Sequence, residues 1–169
     1  TAEIVVPAQP GALSDAMREA REGDIVRLLP GDHRGPVRID VPLILKGEGT
    51  AQVVGSGSGS VITVDAPDVT ISGLRISGSG SSAEHRDSGI VLTKKARNAV
   101  VRGNRLIGNL IGVDIHGSPN ALVTGNVIEG RRDHKMNSRG NGVYLWNAPG
   151  SKVIGNDFRW GRDGIFVNT

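Results

Sequence analysis

Apolar and polar residues alternate in short runs along this chain, and four of the runs open on glycine: Gly89-Ile-Val-Leu92, Gly112-Val-Asp-Ile115, Gly142-Val-Tyr-Leu145 and Gly164-Ile-Phe-Val167. A period of two is that of a strand, whose successive side chains face opposite sides of a sheet. Between these runs a second unit recurs: Val69-Thr-Ile-Ser-Gly73, Ala99-Val-Val-Arg-Gly103, Ala121-Leu-Val-Thr-Gly125 and Lys152-Val-Ile-Gly155. The last three are followed by Asn104, Asn126 and Asn156. Self-similarity at a period of roughly 20–30 residues marks a solenoid. No stretch between consecutive strands has room for a crossover helix, so the winding predicts an all-β, right-handed parallel β-helix and excludes a βαβ fold. The glycines and asparagines are expected at corners that need positive φ. The recurring asparagines should stack as a ladder that satisfies buried backbone groups, a structural role.

The same winding starts earlier in the chain. Leu13, Ala16, Met17 and Ala20 fall at helical spacing within Gly11–Glu22, with Gly23 as a stop. Such a helix covers the first open edge of a solenoid without inviting another strand. The predicted organisation is therefore one domain, with residues 1–24 as an N-terminal cap and 25–169 as coils. Ile25–Leu29, Val37–Ile39 and Leu43–Leu45 read as the first strands, broken by Pro30-Gly31 and Pro42. The turn around His33 reads as structural and Gly55–Ser60 as a loose loop. The sequence stops at Thr169 directly after a strand, which leads us to expect the N-terminal part of a longer solenoid, or an end covered by a partner.

Composition sharpens this picture. Two Trp, one Tyr and two Phe stand against 25 Gly in 169 residues, so the apolar content is almost wholly Val, Ile, Leu and Ala. Small and β-branched side chains suit tightly stacked strands. No apolar run approaches the ~18 residues that a membrane-spanning helix needs, and no membrane insertion is expected of this chain. With no cysteine, disulfide staples and thiolate metal sites are ruled out. The formal net charge is +3, and Lys94, Lys95, Arg97, Arg131, Arg132, Lys135, Arg139, Arg159 and Arg162 all fall in turns or insertions of the second half. Most of that charge reads as solvated surface. No basic-and-aromatic module for nucleic acid is evident.

Alternate coils are lengthened at one corner. Gly78–Ser88 and Gly130–Asn141 are insertions two coils apart, which places their bases only ~10 Å from each other, close enough to form one site. If the apolar positions of the Gly-led runs point inward, Val91, Thr93, Asp114, His116, Tyr144, Trp146, Phe166 and Asn168 point outward. Tyr144, Trp146 and Phe166, bordered by Trp160 and Arg162, then form a predicted partner-binding face, with Phe158 in the adjoining segment; contiguous exposed aromatics mark contact surfaces. His134 and Met136 stand at i and i+2 in the second insertion, His85 in the first, and His116 on the coil between them. Imidazole with thioether suits Cu(I), so these four are the candidate metal ligands. Asp114, His116, Asp163 and Arg162 could alternatively supply base, acid and charge neutralisation for a polyuronate lyase or epimerase. The aromatic rows favour a binding surface, and no catalytic residue is assigned. A passive interaction scaffold is the third reading.

The run Arg139-Gly-Asn-Gly-Val-Tyr-Leu-Trp-Asn-Ala-Pro-Gly150, with Gly155-Asn-Asp157 and Gly161-Arg-Asp-Gly-Ile-Phe-Val-Asn-Thr169, closely resembles the NosD family of nitrous oxide reductase maturation proteins. Asp87-Ser-Gly-Ile90, Met136-Asn137 and the stretch from Gly23-Asp24 to Pro30-Gly31 share the resemblance. It implies a periplasmic, non-enzymatic accessory protein that supplies copper for the reductase's multinuclear centre. Nitrous oxide reductase, ABC transporter subunits and a copper chaperone are the implied partners. The resemblance transfers no ligand residue by residue, so the copper ligands proposed above rest on their chemistry alone.

Overall fold

The computed structural model describes residues 1–132 and 139–168. Strand β1 (Glu3–Val6) and helix α1 (Ala12–Glu19) come first. Six coils of three strands follow. They are β2 (Ile25–Leu28), β3 (Gly31–Arg34) and β4 (Val37–Ile39); β5 (Ile44–Gly47), β6 (Ala51–Val54) and β7 (Ile62–Val64); β8 (Thr70–Ser72), β9 (Arg75–Ser77) and β10 (Ser88–Leu92); β11 (Val100–Arg102), β12 (Arg105–Ile107) and β13 (Ile111–His116); β14 (Leu122–Thr124), β15 (Val127–Glu129) and β16 (Val143–Trp146); and β17 (Lys152–Ile154), β18 (Asp157–Arg159) and β19 (Ile165–Asn168). Every pairing is parallel and joins a strand to its equivalent one coil away. The result is three sheets: β1-β2-β5-β8-β11-β14-β17, β3-β6-β9-β12-β15-β18 and β4-β7-β10-β13-β16-β19.

Stacking in register makes each interior position a column. Val26, Leu45, Ile71, Val101 and Val123 form one in the first sheet. Ile39, Val64, Leu92 and Ile115 form another in the third. All of these are fully buried. In the second sheet the column runs His33, Val53, Ile76, Leu106, Ile128 and Phe158. The interior enclosed by three sheets is narrow, and that is why small aliphatic residues dominate it.

Three features go beyond or against the sequence expectations. The cap over residues 1–24 contains, besides its helix, the strand β1, which pairs with β2 from Glu3 opposite Ile25. His33 lies not in a turn but in β3, fully buried, with Nε2 2.7 Å from the Leu29 carbonyl oxygen. Phe158 points into the core column rather than toward the aromatic face.

At the corner between the first and second sheets, Gly103 (φ 65) and Gly125 (φ 65) are in the left-handed region, as the pattern predicts. The Gly-led runs use glycine for a different reason. A Cβ on Gly112 would stand 2.5 Å from the Gly142 carbonyl oxygen and 2.6 Å from Ile128 Cγ2, so close approach between coils selects glycine there.

The asparagine ladder forms beside that corner. Asn126 Nδ2 donates to the Val101 carbonyl oxygen (2.9 Å) and to Asn156 Oδ1 (2.9 Å), while its Oδ1 accepts from Asn104 N (2.9 Å) and Asn104 Nδ2 (3.1 Å). Asn104 repeats the pattern one coil earlier, with Ile71 O at 3.0 Å and Leu74 N at 3.1 Å. Truncating Asn126, which is 1% exposed, leaves several buried polar groups without partners. Asn126→Ala is therefore expected to lower the free energy of unfolding by about 2–4 kcal/mol. The half-buried Asn156→Ala should cost less. Urea titration followed by circular dichroism checks the order; equal losses would deny the ladder its dependence on burial.

Candidate functional site

Outward side chains of the third sheet also stack in columns. One runs Val91, Asp114, Tyr144 and Phe166; its neighbour carries His116, Trp146 and Asn168. Tyr144 and Phe166 stack with ring centroids 5.5 Å apart and planes 12° from parallel. His116 and Trp146 stack likewise, at 4.6 Å and 21°, with Lys94 Nζ 6.0 Å from the Trp146 ring. Asn168 Nδ2 donates to the Tyr144 hydroxyl at 3.0 Å.

Both insertions leave from the corner between the second and third sheets, after β9 and after β15. The first folds on itself: Ser82 N donates to Asp87 Oδ2 (3.0 Å) and Asp87 N to the Ser82 carbonyl oxygen (3.1 Å). Arg131, at the base of the second, ties the two together. Its Nη2 reaches the Gly80 carbonyl oxygen (2.8 Å), Nη1 reaches Ser81 Oγ (2.7 Å) and Nε reaches the Gly108 carbonyl oxygen (3.0 Å). The walls so formed enclose, with the sheet, a cleft of about 680 Å³. Arg86, Arg131, Arg139 and Arg162 line it, together with Tyr144 and Phe166.

Of the predicted partner-binding set, Tyr144, Phe166 and Arg162 meet in this cleft. Trp146 lies one column away, against His116. Trp160 stands at the corner after β18, half-exposed, with the Arg132 guanidinium 4.9 Å over its ring, and lines a smaller neighbouring cleft of about 130 Å³. Of the candidate metal ligands, His85 is exposed on the first insertion with Nδ1 2.9 Å from Ser82 Oγ, and His116 is half-buried on β13. His134 and Met136 lie outside the described residues. Among the described residues no three His, Cys, Asp or Glu side chains are grouped to hold a metal ion. Sequence reasoning missed Arg86 and Asn141. The signal was available for Arg86, a basic residue inside an insertion already singled out.

Asp114 departs from expectation. It does point away from the core, yet it is 3% exposed, because the first insertion lays Arg86 over it with Nε 3.4 Å from Oδ2. His116 Nδ1 lies 4.0 Å from Oδ1 on its other side. Burial pushes the Asp114 carboxyl up to about 6, with Arg86 pulling back against it. Burial, then the charges of Arg86 and Lys94, depress the His116 imidazole below its usual range.

Because the folded-state pKa of Asp114 exceeds its ordinary value of 3.8, ionising it costs more in the folded chain than in the unfolded one. The protonated form's contribution is complete below that value and is lost as pH rises through about 6. Between about pH 4 and pH 7, the stability of the parent chain should fall relative to Asp114→Asn by about 2–3 kcal/mol. Urea unfolding of both chains across that range measures the difference; parallel profiles would contradict the burial argument.

Residues 59–169 match the family described as right handed beta helix region. The chain is 36% identical over 137 residues to a Pseudomonas aeruginosa protein named "Probable ABC transporter binding protein NosD", covering 81% of this chain and 32% of that protein. A Stutzerimonas stutzeri protein of the same name is 34% identical over 138 residues, with 82% and 32% covered. The chain thus spans about a third of the length of these curated relatives. Among solved structures, a pectin methylesterase crystallised with a hexasaccharide superimposes with a TM-score of 0.55 at 18% identity, covering 94% of this chain and 66% of its own. A PL6 family alginate lyase gives 0.50 at 13% identity, covering 97% and 30%. These two likenesses are of fold. The chain belongs to the right-handed β-helix family, and its sequence is NosD-like through 81% of its length.

Proposed function

We propose that this chain is part of a NosD-like accessory protein, a binding module and not an enzyme, whose third-sheet cleft docks a protein partner during assembly of the copper centre of nitrous oxide reductase. The partners in this reading are the reductase and the subunits of an ABC transporter, and the setting is the periplasm. The relatives' printed name, an ABC transporter binding protein, supports the transporter association. The observation that carries the docking role is the cleft itself: a stacked aromatic pair on the third sheet, bordered by four guanidinium groups from the two cross-linked insertions and the corner before β19. Aromatic and arginine side chains are the residue types that dominate the energetics of protein interfaces. Of the carboxylates that could serve a lyase or epimerase as base, Asp114 is buried beneath Arg86.

Replacing both Tyr144 and Phe166 with alanine should weaken capture of purified nitrous oxide reductase by about tenfold or more. The melting temperature should change little, because the pair stands outside the core. Unchanged capture by the double variant, or turnover of polygalacturonate or alginate by the parent chain, would overturn this reading.

Copper is the cargo in this proposal, held loosely enough to be passed on. His134 and Met136, with His85 and His116, remain its candidate ligands on chemical grounds. In competition for Cu(I) against a chromophoric chelator, His134→Ala and Met136→Leu are expected to retain less copper than the parent. Equal retention in all three chains would remove the second insertion as a copper site.

A further inference from the structure

Among the described residues, the cleft carries four guanidinium groups against one lining carboxylate, Asp163. Arg86 is partly offset by Asp114 beneath it. Arg131 spends all three nitrogens on neutral acceptors, the Gly108 and Gly80 carbonyl oxygens and Ser81 Oγ, so it is fixed in place with no carboxylate partner among the described residues. Arg162 is exposed, and no carboxylate lies within ion-pair distance of it among the described residues. A walled cleft with fixed positive charges concentrates its field on whatever enters.

The apolar part of the cleft adds direction. Tyr144 and Phe166 stack along the solenoid axis, so they spend ring faces on each other. Ring edges, where the hydrogens carry partial positive charge, reinforce the arginine field. Ala83, Leu110 and Ile111 complete the wall. A polyuronate would answer the charge, but it also needs an open ring face to stack on and side chains for its hydroxyls. Here one face of each ring is spent on the other, and Asn168 Nδ2 is committed to the Tyr144 hydroxyl. A segment that alternates carboxylates with apolar side chains uses both components of the cleft.

We propose that the cleft between the insertions and the third sheet takes an extended, carboxylate-rich peptide segment of a partner protein. Arg162 meets its carboxylates through paired N–H groups, and Tyr144, Phe166 and Ala83 pack against its apolar residues. This inference rests on the docking reading above and names the chemistry of the docked segment.

The test is fluorescence anisotropy of a labelled synthetic peptide alternating Glu and Leu, titrated with the full chain at low salt. Saturable binding is expected, weakened about tenfold by Arg162→Glu and by raised salt, and less by Arg162→Lys, which keeps the charge without the paired N–H groups. The same peptide with Lys in place of Glu should not bind, and unlabelled Glu-Leu peptide should displace the probe where hexagalacturonate does not. An unchanged melting temperature shows that the Arg162→Glu chain is folded. Absence of saturable binding, indifference to Arg162→Glu, or equal displacement by hexagalacturonate would each overturn the inference. Reductase capture separates the two readings. Capture lost on removing Tyr144 and Phe166 but indifferent to Arg162→Glu would leave docking standing and sink the acidic segment; capture indifferent to both would sink docking, and the inference with it.

Discussion

In a stack of parallel coils, every turn of the chain must bring its corner amides into a narrow interior where water cannot reach them. The Asn104–Asn126–Asn156 ladder answers that demand by giving each side-chain amide a backbone carbonyl on the preceding coil, and Asn104 and Asn126 a neighbouring amide on the next. An unpaired buried amide costs more than a made one returns, so coils of unequal length can exist only if their corners stay in register. The rest of the molecule follows from this. The corner between the first and second sheets keeps the same length in the coils that carry the ladder, and the two long insertions lie at the corner between the second and third sheets.

Fixed register also decides what the outer surface can do. A residue that points outward in one coil lies directly against its equivalents in the next, so Asp114, Tyr144 and Phe166 become a column, as do His116, Trp146 and Asn168. Chemistry is concentrated without any long-range folding choice. The columns on their own would be a flat face. The insertions convert that face into a cleft, and Arg131, bonded to residues 50 and 51 positions earlier, holds the two walls against each other.

Most of the fold was legible because a period survives in the sequence: strands, the solenoid winding, the amide ladder and the corner of insertion all follow from where Gly, Asn and the apolar pairs recur. What was not legible had no periodic signature. β1 has one neighbour and is separated from it by a helix. His33 reads as polar yet fills a core column, its Nε2 matched by the Leu29 carbonyl oxygen. The Gly-led runs suggested unusual dihedrals, whereas Gly112 is required by the carbonyl of Gly142 on the next coil, a contact 30 residues distant in sequence that only the stack reveals. Of the site, the outward columns could be read from alternation, and with them Tyr144, Phe166 and Arg162. The burial of Asp114 could not be read that way, because alternation says which side of a sheet a residue takes and nothing of what later covers it.

That cover bears on how the cleft is built. Asp114 is held by a single imperfect ion pair, and Oδ1 is without a hydrogen bond among the described residues. A buried carboxylate so poorly served is a cost to the fold, one that an apolar residue at the same place would avoid. What it gives in return is positional: it draws Arg86, which sits at φ 50, down onto the sheet and so fixes the inner wall of the cleft. The opposite wall is fixed by Arg131 through two carbonyl oxygens and a hydroxyl, with no carboxylate partner among the described residues. One arginine is thus anchored by partial neutralisation and the other by neutral acceptors. Both are immobilised before any ligand arrives, so little ordering entropy remains to be lost when an anionic group enters.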